Sequence, residues 1–548
     1  MNVYLHSISS MVKILRDEPI TAFPETKGSM LKNEGYTFQV VAKADEDIER
    51  CSLQISGKLA KYCKAYPITD MLSDKNLDSN CDEYVLCSSN NLYPELCEEE
   101  NEFSLKAGEY KGILIEVKGD LPVGTYNIPV SLICGGEKAA TCAYELTVIP
   151  ARLPQLDMPV TNWFHCDCIA ELHGVEIFSD AWYDVAEKYL EAYVEMGNTM
   201  LLIPALTPAL DTEVGGERMT AQLVDITVTD GVYAFDFSAL DRFIDFVTAK
   251  GIRYYEFAHL FTQWGAEFCP KIMATVDGEK RKIFGWETLS ESEEYKTFLR
   301  AYLPALCEYI RRKGIEKNSF IHLSDEPPES TQERYGRLYE FVKSLIGDLR
   351  TLDALSEYSF YEKGFVDVPA PITVTANEFA AHNVEHLTYY CCWPCKDYFS
   401  NRFFNMSGER TRVIGVQLYK NGANGFLQWG YNFFHSCRSL SIVNPYEDTT
   451  AGGKFNSGDS YVVYPDKEKG GVKKSLRWFY MKEAFQDLRA LLLLEKLYGK
   501  ENTMAILKEY GIDKYHVYPH SSKILKELRE VINETISECV STTQTEKE

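Results

Sequence analysis

Two adjacent acids, Asp325 and Glu326, are the residues of this sequence whose type and spacing most directly suggest chemistry. They follow a predicted strand at 318–324 and precede Pro327 and Pro328. Two like charges side by side oppose each other, which raises the pKa of at least one of them. A protonated acid beside a carboxylate is the pair that cleavage of a glycosidic bond requires.

The position of this acid pair at the end of a strand allows two interpretations. Neighbours in a regular strand point to opposite faces, so both acids can enter one site only if the strand stops there, and Pro327 and Pro328 supply that stop. Alternatively, Asp325 caps the following helix and Glu326 is an acid of its first turn. The residue pattern alone leaves both interpretations open.

The elements that would position the acids are predicted from the pattern after residue 155, where short apolar strands alternate with amphipathic helices. Strands are predicted near 160–166, 197–204, 251–258, 318–324, 349–355, 371–375, 386–392 and 424–430, and helices at 181–196, 292–313, 330–346, 407–421 and 475–497. This pattern predicts a (β/α)8 TIM-type barrel over 155–497, in which catalytic groups lie at the carboxyl ends of the strands.

The flanking regions predict a multidomain chain. Residues 1–150 contain short β-rich runs separated by turn-forming and charged residues, which predicts an N-terminal β-sandwich before the barrel. Within it, the cysteine- and acid-rich stretch 74–102 is predicted to be a long loop or insertion. Residues 498–548 are predicted to form C-terminal helices and a disordered polar tail.

Composition narrows the class of ligand. The net charge of −24 argues against nucleic acid or an anionic membrane as a partner, and the 13% aromatic content favours a neutral, ring-shaped ligand such as a sugar. The first twenty residues lack the apolar core of an export signal, so we expect a cytoplasmic protein whose 16 cysteines are free thiols.

Polar and aromatic side chains at the other strand ends are candidate ligands for a sugar. Trp264 and Trp429 are candidates to stack on its apolar face. The remaining candidates to hydrogen-bond its hydroxyls are His165, Asp167, His259, Gln263, Asp353 and Tyr431. For any one of them, the alternative is a structural hydrogen bond or a place in the core.

A metal-dependent hydrolase is a further possibility for a barrel with histidines at its strand ends. His165, Asp167, His259 and His322 are the residues concerned, but they form neither an H-x-H nor an H-E-x-x-H spacing. We therefore predict no metal and no cofactor.

Six motifs taken together resemble glycoside hydrolase family 123, whose catalytic region overlaps the domain of unknown function 4091. The resemblance covers about residues 155–497 and rests on WFHCDC (163–168), TPALDTEVGGER (207–218), HLFTQWG (259–265), HLSDEPP (322–328), FLQWGYN (426–432) and GDSYVVYP (458–465). It implies a β-N-acetylgalactosaminidase with a β-sandwich before a (β/α)8 barrel, acting on an oligosaccharide or glycolipid-derived glycan.

The resemblance also implies retaining, substrate-assisted catalysis, in which the 2-acetamido oxygen of the sugar is the nucleophile. Asp325 would then orient the acetamido N–H, Glu326 would be the general acid and base, and Tyr390 is a candidate to hold the acetamido carbonyl. Two alternatives remain: a glycosidase for a β-N-acetylglucosaminide or a non-acetylated hexoside, and a non-catalytic carbohydrate-binding barrel.

Overall fold

The N-terminal part of the computed structural model, which describes residues 2–20, 22, 24–73 and 81–545, is rich in β-strands. Its strands are β1 (Val3–Ile8), β2 (Lys27–Lys32), β3 (Gly35–Ala44), β4 (Ile48–Ile55), β5 (Cys63–Leu72), β6 (Leu92–Cys97), β7 (Glu102–Leu105), β8 (Tyr110–Lys118), β9 (Gly124–Cys134) and β10 (Glu137–Arg152). They form two five-stranded sheets, in the orders β1-β3-β8-β5-β6 and β2-β10-β9-β4-β7. The apolar side chains between the sheets form a core of their own.

The C-terminal part alternates strands with helices. Its strands are β11 (Val160–Asn162), β12 (Met200–Ile203), β13 (Asp225–Thr229), β14 (Val232–Asp236), β15 (Tyr254–Phe257), β16 (Ile272–Val276), β17 (Glu279–Phe284), β18 (Ser319–His322), β19 (Arg350–Ala354), β20 (Val368–Ala370), β21 (Leu387–Tyr389), β22 (Gly425–Gln428), β23 (Val463–Asp466) and β24 (Gly471–Lys474). Its helices are α1 (Cys166–His173), α2 (Asp180–Met196), α3 (Ser238–Ala249), α4 (Glu293–Lys313), α5 (Gln332–Ile346), α6 (Tyr358–Glu362), α7 (Ala376–Ala381), α8 (Gly408–Arg412), α9 (Ile414–Lys420), α10 (Leu476–Tyr498), α11 (Lys500–Glu509) and α12 (Ser522–Thr545).

Parallel strands at the centre of this part form two hydrogen-bonded sheets, β12-β15-β18-β19-β20 and β11-β22-β21. Backbone bonds bridge the sheets at both edges, from Thr199 N–H to the Val160 carbonyl at 2.9 Å and from Thr373 N–H to the Tyr389 carbonyl at 2.8 Å. The arrangement is thus a five-stranded partial barrel with a three-stranded sheet beside it, and a closed eight-stranded barrel stays a prediction.

Each predicted strand and helix after residue 155 has a counterpart in the structure, but the hairpins β13–β14, β16–β17 and β23–β24 were not predicted, and three predictions differ in detail. The sixth strand is β20, earlier than the predicted 371–375, because the chain turns at Ile372 and enters α7. The helix predicted at 407–421 is divided into α8 and α9. The stretch 74–102 contains the strands β6 and the start of β7, while its residues 74–80 lie outside the described residues.

Two further predictions concern the chain end and the cysteines. Helix α12 runs to Thr545, and the remainder of the predicted disordered tail lies outside the described residues. No disulfide joins any of the sixteen cysteines, all of which lie among the described residues. Among the described residues, none of the helices combines the length and the apolarity that a membrane span requires.

Local sequence explains where the long helices begin. Ser179, Ser292 and Ser475 precede α2, α4 and α10, and each hydroxyl accepts a hydrogen bond from the backbone N–H three residues later. Helix α10 is buried over most of its length and packs against α2, α9, α12 and the sandwich strand β6. It therefore connects the two parts of the molecule.

Candidate active site

An open cavity of about 620 Å³ lies at the carboxyl ends of the parallel strands. The acid pair lies in its wall beside aromatic, apolar and thiol side chains. The lining residues are Trp163, Leu210, Asp211, Trp264, Asp325, Glu326, Ala354, Tyr389, Cys391, Cys392, Leu427, Trp429 and Phe455. Both acids thus enter one site, so the helix-capping interpretation of Asp325 and Glu326 does not describe the structure.

The backbone of the acid pair is held from both sides. The Trp264 N–H donates to the Asp325 carbonyl at 2.7 Å, and the Glu326 N–H donates to the Ala354 carbonyl at 2.9 Å. Glu326 has a φ of 44° and Trp264 a φ of 61°, in the left-handed region that L-residues rarely adopt. Such backbone strain costs about 1–3 kcal/mol per residue and is concentrated at functional sites. Here it turns the Glu326 side chain into the cavity.

The carboxyl groups of the pair are hard to ionise together. Burial raises the pKa of Asp325 well above its ordinary value, and the neighbouring charge of Glu326 raises it further, while His322 lowers it. Partial desolvation in the cavity wall also raises the pKa of Glu326, although this residue keeps an exposed part, and a hydrogen bond from Tyr389 lowers it. The pair therefore holds a proton more readily than two separate carboxylates would.

Tyr389, rather than the predicted Tyr390, reaches the acid pair. Its hydroxyl donates to Glu326 Oε1 at 2.5 Å. The Tyr390 hydroxyl donates to the Met481 sulfur at 3.2 Å, outside the cavity. Consecutive side chains at a strand end point to opposite faces, so Tyr389 lines the cavity and the predicted Tyr390 does not.

Beneath Asp325 lies a buried ionic network on three neighbouring strands. His322 Nδ1 is 2.5 Å from Glu256 Oε1, and its Nε2 is 3.7 Å from Asp353 Oδ1. Burial lowers the pKa of His322, but Asp353 and Glu256 raise it more, to about 10. His322 is therefore a cation at neutral pH, held below the acid pair.

Two further predicted residues belong to this buried network, which forms the floor beneath the acid pair, and not to the cavity wall. Asp353 Oδ2 accepts hydrogen bonds from the Ser324 N–H at 2.9 Å and the Tyr335 hydroxyl at 2.7 Å. His259 stacks on His322 with ring centroids 3.8 Å apart, and burial lowers its pKa well below the ordinary value. Both support the acid pair from behind, so neither is placed to bind a sugar hydroxyl directly.

The predicted tryptophans both line the cavity. Trp264 is 44% exposed and presents its ring at the cavity mouth. Trp429 also lies in the cavity wall. Its indole N–H donates to Asp459 Oδ2 at 3.2 Å, and its ring packs edge-on against Phe455. Flat apolar walls of this kind suit the face of a sugar ring.

Four other predicted site residues have structural partners outside the cavity. Asp167 forms a buried ion pair with Arg218, which also contacts His165 Nδ1 at 3.3 Å. The Gln263 amide donates to the Thr212 carbonyl at 2.8 Å, and the Tyr431 hydroxyl donates to the Tyr189 carbonyl at 2.9 Å. The prediction that they bind sugar hydroxyls is therefore not supported by their positions.

Residues that contribute to the site were also missed. Asp211 lines the cavity, and burial raises its pKa. Asp459 holds Trp429 from behind, and burial raises its pKa to about 7. Both lie in the motifs 207–218 and 458–465, which the sequence singled out without assigning them a role. Cys391 and Cys392, which also line the cavity, follow directly after the tyrosine pair.

The residues considered for a metal-dependent hydrolase do not form one ligand set. His259 and His322 lie in the floor network, whereas His165 and Asp167 contact Arg218. The cavity instead offers two neighbouring carboxyl groups, a phenol and aromatic walls. Such groups can donate and accept a proton at a bound ring-shaped substrate.

Comparison with known proteins places the chain in a family. The catalytic domain of glycoside hydrolase 123 matches residues 163–494. A family 123 glycoside hydrolase from Clostridium perfringens, described as hydrolysing glycolipid glycans, superposes with a TM-score of 0.73 at 15% identity, covering 100% of this chain and 99% of that chain.

A more distant match is to a glycoside hydrolase of another family. A family 5 mannosidase from Rhizomucor miehei aligns with a TM-score of 0.36 at 11% identity, covering 64% of this chain and 95% of that chain, which is too weak for an argument. No curated protein sequence matches the chain. The match to the catalytic domain spans more than half of the chain, and the protein therefore belongs to glycoside hydrolase family 123.

Proposed function

We propose that the protein is a retaining glycoside hydrolase that releases a terminal β-linked N-acetylgalactosamine by substrate-assisted catalysis. The observation that carries the proposal is that Asp325 and Glu326, adjacent in sequence, both line one cavity with raised pKa values. Two carboxyl groups held side by side cannot attack the sugar from one face and protonate it from the other. A nucleophile supplied by the substrate removes that need.

In the first step, the 2-acetamido oxygen attacks the anomeric carbon as Glu326 protonates the leaving glycosidic oxygen. The C–O bond to the aglycone breaks, and an oxazolinium ion forms. Asp325 accepts a hydrogen bond from the acetamido N–H and stabilises its positive charge. Glu326 then activates a water molecule, which attacks the anomeric carbon and breaks its bond to the acetamido oxygen. The oxazolinium ring opens, the acetamido group is restored and the β configuration is retained.

Tyr389 is proposed to hold the acetamido carbonyl oxygen in line for attack, in the role first considered for Tyr390. Its hydroxyl already contacts Glu326 at the cavity wall. A phenol that donates to Glu326 in the free enzyme can turn to the substrate oxygen, so that Glu326 is released to act on the leaving group.

The substrate is proposed to be an oligosaccharide or glycolipid-derived glycan that ends in this sugar. Support comes from the aromatic cavity walls, from the net charge of −24 that favours a neutral ligand, and from the glycan substrate of the Clostridium perfringens relative. We further propose that the parallel strands complete a (β/α)8 barrel and that the enzyme acts in the cytoplasm.

The test is hydrolysis of p-nitrophenyl β-N-acetylgalactosaminide beside the gluco, α-linked and non-acetylated analogues. We expect activity only on β-linked acetamido sugars, with preference for the galacto form. Asp325→Asn and Glu326→Gln should each lower kcat by about 10²–10⁴-fold. Equal activity on the non-acetylated analogue would exclude the acetamido nucleophile. Binding without turnover of any analogue would favour a carbohydrate-binding barrel.

A further inference from the structure

Four side chains that the proposed mechanism does not use meet around the buried His435. Asp167, Cys168 and Glu171 come from α1, and His435 comes from the segment after β22. Asp167 and Glu171 are four residues apart and so lie on one face of the helix. The ligand atoms of Asp167, Cys168 and His435 all lie within 4.8 Å of one another.

His435 lacks the hydrogen bonds that a buried imidazole needs. Its side chain is 5% exposed, and neither ring nitrogen has a hydrogen-bond partner among the described residues. The same holds for the buried Oε2 of Glu171. Unpaired buried polar atoms cost free energy, so in native proteins they usually have a partner. A ligand held between the imidazole and the carboxylates would supply the missing partner.

The distances within the cluster suit a shared metal ion better than direct hydrogen bonds. His435 Nε2 is 3.6 Å from Asp167 Oδ2 and 3.5 Å from Glu171 Oε2, longer than a normal hydrogen bond. Zinc binds nitrogen and oxygen at about 2.0–2.2 Å, which separates two ligands of a tetrahedron by about 3.4 Å. We propose that Asp167, Cys168, Glu171 and His435 form a structural zinc site.

Charge and ligand chemistry agree with this assignment. Arg218 donates to both oxygens of Asp167 at 2.8 Å and so fixes the orientation of that carboxylate. Zn²⁺ and the Arg218 guanidinium would balance two carboxylates and a thiolate. The Phe434 N–H already donates to the Cys168 sulfur at 3.3 Å. Thiolate and imidazole favour zinc over magnesium or calcium.

The metal would fasten the segment after β22 to α1. That segment carries Phe433, whose ring packs against Trp429 with centroids 4.8 Å apart, and Trp429 lines the cavity. The site has four protein ligands and no open position, which is typical of a structural and not a catalytic zinc ion.

The experiment is a Co²⁺ titration of protein purified without a metal-binding tag and treated with a chelator. We expect one saturable Co²⁺ per chain, with the visible absorption of a tetrahedral site and a thiolate-to-cobalt charge-transfer band, both abolished by Zn²⁺. Cys168→Ser should remove the charge-transfer band. Cys166→Ser, a buried thiol on the same helix outside the cluster, should retain it.

Glu171→Gln protects the test against variants that fail to fold, because this side chain is 24% exposed. It should weaken Co²⁺ binding at least about tenfold without loss of helical circular dichroism. Absence of saturable binding by the wild type would overturn the proposal. So would an unchanged spectrum in Cys168→Ser, or an unchanged affinity in Glu171→Gln, because the ion would then bind elsewhere.

Discussion

At the scale of single residues, the two acids differ in their partners. Glu326 accepts a hydrogen bond from Tyr389, whereas no side-chain hydrogen bond to the Asp325 carboxyl group occurs among the described residues. Asp325 instead lies in the field of the His322 cation below it. The protein thus holds Glu326 through a phenol that a substrate can replace, and it leaves Asp325 open to a hydrogen-bond donor.

Removal of the tyrosine hydroxyl should affect the enzyme through Glu326. The hydrogen bond from Tyr389 lowers the pKa of Glu326, so in Tyr389→Phe that pKa should rise. A general acid with a higher pKa stays protonated to higher pH. The alkaline limb of the pH profile of kcat/KM should therefore shift to higher pH. We expect kcat/KM to fall by about 10–100-fold, because a hydrogen bond to a charged group contributes about 1.5–3 kcal/mol.

The matched control is Tyr390→Phe, which removes the adjacent hydroxyl and its contact with the Met481 sulfur. Its pH profile should match the wild type, with kcat/KM within about twofold. Similar losses in both variants would contradict the placement of Tyr389 at the site.

The raised pKa of Asp325 should be visible in stability. A carboxyl group whose folded-state pKa lies above its unfolded value of about 4 destabilises the fold once pH exceeds that value. Asp325→Asn should therefore raise Tm at pH 8, by roughly 1–3 °C, and the difference should shrink as pH falls toward 4. The exposed Glu329→Gln is the control. An unchanged or lower Tm of Asp325→Asn at pH 8 would show that the folded protein does not strain this carboxyl group.

Tyr389 also shows what the sequence cannot specify at this scale. The strand was predicted and Tyr390 was named at its end. Which of two consecutive side chains enters the cavity depends on the exact residue at which the strand ends, and a shift of one residue exchanges them. For Asp325 and Glu326 the exact strand end did not matter, because both side chains enter the cavity. The two prolines end the strand, and the left-handed φ of Glu326 brings both side chains to one side.

At the scale of elements, the central strands carry charge where a barrel core is usually apolar. Glu256, His322 and Asp353 come from β15, β18 and β19, which are neighbours in one sheet. Trp163, directly after β11, adds an indole N–H that donates to both Glu256 oxygens at 3.1 Å. The strand that ends in the acid pair is thus tied to its neighbours by polar bonds beneath the site.

Loss of the central cation should destabilise the whole sheet. His322→Gln leaves Glu256 and Asp353 buried without a counter-charge, which costs about 3–5 kcal/mol. The pKa of His322 is raised to about 10 from 6.5, so its stabilisation is complete below pH 6.5 and disappears as pH rises through about 10.

Urea unfolding of His322→Gln and wild type across this pH range measures the effect. The exposed His382→Gln should change the free energy of unfolding by less than about 0.5 kcal/mol. A loss for His322→Gln that is the same at pH 7 and pH 10.5 would show that packing, and not charge, is the contribution of this residue.

The strand positions were predictable from sequence because each strand is a short apolar run between helices of clear amphipathic period. The floor network was not, because Glu256 and Asp353 are buried acids that the same pattern would place at a surface. His259 and Asp353 were accordingly predicted as sugar ligands, although both lie beside His322 of β18, which is distant from them in sequence. Such long-range pairings leave no periodic signal.

At the scale of the whole molecule, buried ion pairs join the sandwich to the catalytic part. Glu95 of β6 pairs with Arg477 of α10 at 2.6 Å, and both side chains are fully buried. Glu116 of β8 pairs at 2.5 Å with Lys482 on the same helix. The sandwich therefore contacts α10 through buried ion pairs, and the domain boundary near residue 150 stays a prediction.

Removal of Glu95 should therefore weaken both parts together. Glu95→Ala leaves Arg477 buried and unpaired, which costs about 3–5 kcal/mol, and we expect a single calorimetric transition at a lower Tm. Glu102→Ala, which breaks an exposed pair with Arg50, should lie within about 0.5 kcal/mol of the wild type. Two separate transitions, only one of them shifted, would mean that the parts unfold independently.

The most direct test of the proposed mechanism is the dependence of rate on the nucleophilicity of the acetamido group. p-Nitrophenyl β-galactosaminides that carry N-acetyl, N-difluoroacetyl and N-trifluoroacetyl groups differ at this position alone. If the carbonyl oxygen attacks the anomeric carbon, kcat should fall steeply with each fluorine while the first product keeps the β configuration by NMR. A kcat that does not change along the series, or a product of inverted configuration, would contradict substrate assistance by the Asp325–Glu326 site.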